Sequence, residues 1–134
     1  MVLTEKVVED KLLQSGDFEL PDTISLRKNF EFKIVYNKGR SLANKHLIMY
    51  IMKNNLDKNR LGISVSKKIG NSVMRNRVKR VIRESYRLIE QDIKKGYDII
   101  FIARTSITGI KFNEASGSVK HLTRLHKLIG CPHD

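Results

Sequence analysis

Cysteine occurs once, at Cys131, so no disulfide can close within the chain, and a reducing compartment fits that usage. Tryptophan is absent and proline occurs twice. No apolar run approaches the ~20 residues of a membrane-spanning helix, so no membrane span is expected, and a membrane is not the expected partner. The first residues include acids and no cationic start before an apolar block, so they do not read as a secretory signal. The cytoplasm is the expected location.

Carboxylates are scarce as well, with 14 Asp and Glu against 26 Lys and Arg. Beyond residue 22 they are Glu31, Asp57, Glu84, Glu90, Asp92, Asp98, Glu114 and Asp134, with no cluster of the kind a magnesium-dependent nuclease needs. His121 and His126 stand five apart, a poor fit to helical ligand spacing. His126, Cys131 and His133 offer zinc three donors and no clear fourth. His46 has no sequence partner for acid–base work and is expected to be a polar edge residue. The stretch 68–71 lacks the GK[ST] ending of a phosphate loop. No catalytic residue, metal site or protein-bound cofactor is therefore expected.

Positive charge is what the chain has in abundance. A net charge of +12 and a pI near 10.0 point to nucleic acid first and an anionic membrane surface second. The charge is uneven. Residues 1–22 hold six acids and two bases and so carry −4, which leaves +16 to the rest. This divides the chain into an acidic extension, 1–22, and one domain, 23–134, with 40% apolar residues overall to fill its core. The extension is expected to be a mobile or loosely docked tail; an acidic mask over the basic surface is the alternative.

The densest charge lies in residues 67–87, KKIGNSVMRNRVKRVIRESYR, which hold eight basic residues and one acid, Glu84. On a helix of about 100° per residue, Met74, Val78, Val81, Ile82, Ser85, Leu88 and Ile89 share one face. Asn76, Lys79, Arg80, Arg83 and Arg87 share the opposite one, with Arg75 and Arg77 at its borders. Exposed helix faces usually mix charge signs, because like charges repel at i,i+4. Arg75 and Arg77 also stand near the helix N-terminus, where the macrodipole disfavours cations. An external polyanion would relieve both conflicts. Asn71 is a plausible N-cap.

A helix is expected up to Lys38, capped by Ser25 or Asn29 and closed by Gly39, with Phe30 and Ile34 entering the core. Phe32 and Tyr36, an i,i+4 pair, form either a second packing face or rings open for base stacking. Residues 46–52 and 60–66 read as strands paired in a hairpin. The second presents a small flat side, Gly62, Ser64 and Ser66, which either receives a close helix or stays open to a ligand; Tyr50 could stand over it. Residues 97–103 form a continuous apolar strand. A last helix spans 113–129, with Ala115, Val119, Leu122, Leu125 and Ile129 inward. The order is α-β-β-α-β-α, an α+β domain, and composition alone does not separate RNA from DNA.

The ordered set Arg60-Leu61-Gly62-Ile63-Ser64-Val65-Ser66-Lys67-Lys68-Ile69-Gly70-Asn71, then Val73 to Arg80 with its Arg75-Asn76-Arg77 triplet, then Ile82-Arg83-Glu84, resembles the signature of the bacterial ribonuclease P protein subunit. The similarity takes in Asn29-Phe30-Glu31-Phe32, Tyr36, Gly39, Ala43-Asn44, Tyr50 and the stretch from Asp98 to Arg104. The resemblance implies a two-layer α+β sandwich like the second domain of ribosomal protein S5, with a four-stranded sheet and a left-handed βαβ crossover. It implies RNA as the partner: a catalytic RNA subunit that performs the hydrolysis with Mg²⁺ held mainly by RNA, and precursor tRNA, whose 5′ leader is removed. It assigns Arg75, Asn76, Arg77, Lys79, Arg80, Arg83 and Arg87 to the catalytic RNA, and Phe32, Tyr36, Tyr50, Lys67 and Lys68 to the single-stranded leader. A monomer is expected in the absence of RNA. The competing reading is an rRNA-binding or ribosome-assembly protein.

Overall fold

The computed structural model describes residues 20–130. Most of the acidic extension, and Cys131 and His133, lie outside them. Five strands, β1 (Thr23–Ser25), β2 (Arg40–Ala43), β3 (Leu47–Lys53), β4 (Asn59–Ser64) and β5 (Tyr97–Ala103), form one open sheet. Three helices pack on it, α1 (Asn29–Lys38), α2 (Ser72–Ile89) and α3 (Phe112–Leu125). The expected succession of six elements is present. The fifth strand is not what the resemblance implied: both edges carry a short one, of three residues in β1 and four in β2. Every residue of β2 is exposed, so no alternation marks it in the sequence.

The sheet order is β1-β4-β5-β3-β2. β3 and β4 therefore do not form the expected hairpin. β5 lies between them, antiparallel to β3 and parallel to β4. The reason is in its side chains. Ile99, Ile100 and Phe101 are all fully buried, and only a central strand covered on both faces can bury consecutive residues. The first residue of β4 is instead tied to the start of β5. Asn59 donates to the Lys94 carbonyl at 3.0 Å and accepts from the Tyr97 amide at 2.9 Å.

Alternation along the strands divides the core. Leu47, Met49, Ile51, Leu61, Ile99 and Phe101 point to one face, where Val78, Ile82, Tyr86 and Ile89 of α2 and Val119 and Leu122 of α3 cover them. That pair of layers is the expected sandwich. Ile100 points to the other face and packs with Leu26, Val35, Phe32, Tyr36 and Tyr50, so α1 forms a partial layer there.

The phase of α1 differs from expectation. Phe30 and Ile34 are 59% and 40% exposed. Phe32, Val35 and Tyr36 face the sheet in their place. Two large rings cover more apolar area than one, and Gly62 makes room for them: a Cβ there would lie 2.6 Å from Phe32 Cζ. The small side of β4 thus receives a close helix at Gly62. Neither Ser25 nor Asn29 caps α1, which begins after Lys28; the Glu31 carboxylate accepts the Lys28 amide at 3.3 Å. Gly39 closes the helix in extended conformation, not as a left-handed residue.

Arg60 fastens α1 to the sheet. It donates to both carboxylate oxygens of buried Asp98, at 2.7 and 2.6 Å, and to Glu31 of α1 at 2.7 Å. The Asp98 contact, ahead of the opposing effect of burial, raises the Arg60 pKa. β1 is fastened to α2 by Thr23, whose hydroxyl donates to buried Glu90 at 2.6 Å and lies 2.9 Å from the Tyr86 hydroxyl.

α3 stops at Leu125, four residues short of the expected end, and Leu125 is 46% exposed. Lys127 takes a left-handed φ of 62°. Leu128 then donates back to Thr123 and Lys127 to Arg124, at 3.1 and 2.8 Å. This is a Schellman closure with lysine at the position glycine usually takes, which hides it from sequence reading. His46 is not an edge residue. It is buried, with Nδ1 2.9 Å from Ser106 Oγ and Nε2 3.4 Å from Glu114.

At Gly39 an added Cβ would meet the carbonyl oxygens of Val35 and Ile51 at 2.6 and 2.7 Å. Neither can move as a side chain would. Gly39→Ala is expected to destabilise the fold by about 1–3 kcal/mol, read as a lower urea midpoint with unchanged slope.

Candidate nucleic-acid interface

α2 begins where the sequence places it. The Asn71 side chain accepts the Met74 amide at 2.9 Å and satisfies one of the helix's unpaired donors. Val78, Val81, Ile82, Ser85 and Ile89 are buried, as their spacing requires. Leu88 is not; it is 47% exposed, and Tyr86 is fully buried in the same core. Near the C-terminal end the inward stripe runs through Ile82, Tyr86 and Ile89, and the Tyr86 hydroxyl lies 2.9 Å from the Thr23 hydroxyl of β1.

The polar side of α2 is not electrostatically uniform. Asn76 and Lys79 are exposed, and Arg75, Arg77, Arg80, Arg83 and Arg87 are half-buried. Arg75 Nε is buried with no hydrogen-bond partner. Arg77, Arg80 and Arg83 each interact with neighbouring groups. Arg87 is held within the molecule by Glu84, with Nε and Nη2 donating to its two carboxylate oxygens at 2.7 and 2.5 Å. Glu84 is fully buried. Its hydrogen bonds raise the Arg87 pKa against the opposing pull of burial. The lone acid of the basic stretch thus holds one arginine in place, and that arginine neutralises a carboxylate the core has enclosed.

A cleft of about 400 Å³ opens beside α2 on the α1 face of the sheet. It is lined by Asn29, Phe32, Lys33 and Tyr36 of α1, by Ser64 at the end of β4 with flanking Ile63 and Val65, and by Lys79 of α2. The Phe32 and Tyr36 rings stand 6.2 Å apart at 53°, and Tyr36 meets Tyr50 edge-on at 5.0 Å. Burial raises the Tyr36 pKa, against a lowering contribution from its hydrogen bond with Ser64. The phenol therefore stays a neutral donor at physiological pH.

Of the residues expected to act together at a leader, Phe32 and Tyr36 share this cleft. Tyr50 stands behind Tyr36, as its support. Lys67 and Lys68 are exposed on the short turn Lys67–Ile69 and do not line the cleft. Its cations are Lys33 and Lys79 instead. Lys33 escapes sequence reading because the phase expected for α1 puts it on the side of Phe30 and Ile34, away from Phe32 and Tyr36. Lys79 belongs by sequence to the helix stripe, and the fold gives it to the cleft as well. The surface so built combines stacking faces, hydroxyl donors and point charges, the set that binds unpaired bases and their phosphates.

Among the described residues no group of three or more His, Cys, Asp or Glu could hold a metal ion. No helix there is long and apolar enough to cross a membrane.

A family model described as Ribonuclease P matches residues 20–127. The chain is similar to the ribonuclease P protein component of Alkaliphilus metalliredigens, 55% identical over 78% of this chain and 94% of that one. With the component from Clostridioides difficile it shares 50% identity over 76% and 90% of the two chains. Among solved structures, the Staphylococcus aureus RNase P protein superposes with a TM-score of 0.74, at 38% identity over 79% of this chain and 97% of that one. The Thermotoga maritima RNase P protein gives 0.69, at 32% identity over 75% and 96%. On the match to the family model and on these similarities, the chain belongs to the ribonuclease P protein family.

Proposed function

We propose that the chain is the protein subunit of ribonuclease P and works by holding two RNAs against one small domain. The outer side of α2, with Arg75, Asn76, Arg77, Lys79, Arg80, Arg83 and Arg87, meets the catalytic RNA. The cleft takes the single-stranded 5′ leader of precursor tRNA. Hydrolysis of the leader belongs to the RNA subunit, with Mg²⁺ held mainly by RNA. The protein is a cytoplasmic monomer until it binds RNA. The observation that carries this reading is the cleft itself, where aromatic rings of α1 and Lys79 of the basic helix converge.

The physical role follows from charge and shape. Two polyanions repel one another, and a domain carrying +16 placed between them lowers that repulsion. Guanidinium forks suit paired phosphate oxygens of a folded RNA. Rings that stack on any base suit leaders of varied sequence. Mature tRNA has no leader and forfeits the cleft, so substrate binds better than product. On this reading Asn29, Lys33 and Lys79 act with Phe32 and Tyr36 in the cleft they line together, Tyr50 braces Tyr36, and Lys67 and Lys68 contact strands passing outside.

Reconstitution tests the whole reading. Protein, catalytic RNA and precursor tRNA mixed at low Mg²⁺ are expected to cut the leader only when both macromolecules are present. Cleavage by protein alone, or none above that of the RNA alone, would reject it.

Arg75→Ala with Arg77→Ala is expected to weaken binding of the catalytic RNA and to reduce the slope of log affinity against log salt by about two, one per lost phosphate contact. A salt series by filter binding measures it, and an unaltered slope removes α2 from that interface. Phe32→Ala with Tyr36→Ala is expected to weaken precursor tRNA binding by about tenfold or more, since stacking contributes ~1–3 kcal/mol per base, while mature tRNA binding changes little. Equal losses on both would remove the leader from the cleft.

A further inference from the structure

A second basic cavity lies at the other end of the sheet. It measures about 260 Å³ and is lined by Lys38, Arg40, Ile51, Met52, Lys53, Tyr97 and His126. Strand register brings these residues together: Arg40 of β2 pairs with Ile51 of β3, and Lys53 of β3 with Tyr97 of β5. Lys38 comes from the last residue of α1, and His126 from the cap of α3. Three cations therefore converge with no carboxylate among the lining residues. Among the described residues, none of the ion pairs involves Lys38, Arg40 or Lys53. Nor are these cations needed to cap α3. Its terminal carbonyls at Leu122, Thr123 and Arg124 already accept from His126, Leu128 and Lys127. Like charges gathered without a partner or a capping duty point to an external anion.

The floor of the cavity narrows the class. Ile51, Met52 and the Tyr97 ring are apolar, and a bare phosphate would leave them against water. The volume is close to the lower end of small-molecule pockets, roughly 300–1,000 Å³. We propose that the cavity takes one phosphate-bearing nucleotide of an RNA strand, its phosphate held by Lys38, Arg40 and Lys53 and its sugar and base laid on Tyr97 beside Ile51. The RNA strand as source rests on the function proposed above; the nucleotide chemistry rests on the cavity alone.

His126 supplies a local reporter. Its Nε2–H donates to the Met49 carbonyl at 2.8 Å, and Nδ1 is buried without a partner. Burial first, and the Arg40 charge after it, hold its pKa below the usual histidine range. The groups that line the cavity with it are Arg40 from β2, Lys53 from β3, Tyr97 from β5 and Lys38 from α1, with no carboxylate among them. A phosphate bound among them offsets the Arg40 charge and raises the His126 midpoint toward its ordinary value.

NMR of the full chain tests the site with three probes: uridine 5′-monophosphate, uridine and inorganic phosphate. The nucleotide is expected to shift Tyr97 and His126 signals saturably and to raise the His126 titration midpoint. Uridine and inorganic phosphate should bind at least tenfold more weakly. Arg40→Gln with Lys53→Gln should abolish the nucleotide shifts without changing the melting temperature. The same variant should lower the salt slope of catalytic RNA binding by about one. No response at Tyr97 or His126 overturns the site, and inorganic phosphate binding as tightly as the nucleotide overturns the nucleotide assignment. Nucleotide binding with unchanged RNA affinity in the variant overturns the RNA source. Failure of unmodified protein to bind catalytic RNA at all rejects the proposed function instead, and the nucleotide titration still reads the cavity.

Discussion

Burial of β5 on both faces and both edges is the constraint from which the other features follow. Ile99 and Phe101 need the helical layer of α2 and α3, and Ile100 needs α1. A strand so placed must have β3 on one side and β4 on the other. Because β4 runs parallel to it, the chain between them has to cross back over the sheet. α2 is that crossing. Its N-terminal turn consequently starts beside the end of β4, where Ser64 and Val65 meet the rings of α1. The nearness of the basic helix to the aromatic cleft is a product of strand order.

Arginine does two different jobs in this molecule, and the carboxylates sort them. Asp98 and Glu84 are fully buried, and each is met by a two-pronged guanidinium, Arg60 and Arg87 respectively. Breaking such a pair leaves an uncompensated charge in the core, at a cost of about 3–5 kcal/mol. These two arginines are therefore structural, whatever else their outer edges touch. Arg60 also sets the seat of α1 through Glu31, so it fixes the width of the cleft without lining it. Arg75 is a different case, with Nε enclosed and unpartnered at the start of α2, where the helix field opposes it.

Legibility in the sequence followed the strength of the periodic signal. The inner face of α2 and its Asn71 cap were readable because long amphipathic spacing and a capping side chain are local properties. β3 and β5 were readable by alternation and by unbroken apolarity. Their pairing was not. A hairpin is the cheapest closure for two adjacent strands, and the demand of Ile99 to Phe101 for a central place outweighed it. The phase of α1 was misread because Phe30 with Ile34 and Phe32 with Tyr36 are equivalent on a helical wheel. Only Gly62, thirty residues later, decides between them. The early stop of α3 was hidden for the opposite reason, since Lys127 fills a left-handed position without announcing it. Phe32 and Tyr36 were legible as a pair, whereas Lys33 entered the candidate site only with coordinates.

Lys79 carries the remaining consequence. On the proposed reading it belongs to two surfaces, the stripe facing one RNA and the cleft facing another. Its side chain is a flexible stem with a compact charge, able to satisfy either phosphate but not to grip both at full strength. Filling one surface therefore changes the field felt at the other. If an RNA phosphate draws the ammonium group toward the stripe, the cleft keeps Lys33 and its rings but loses a cation. If the leader draws it inward, the stripe loses one contact among several. Coupling between sites is reciprocal, so whatever the first RNA does to leader affinity, the leader does to the first RNA's affinity in equal measure. A residue placed this way makes assembly and substrate choice parts of one equilibrium.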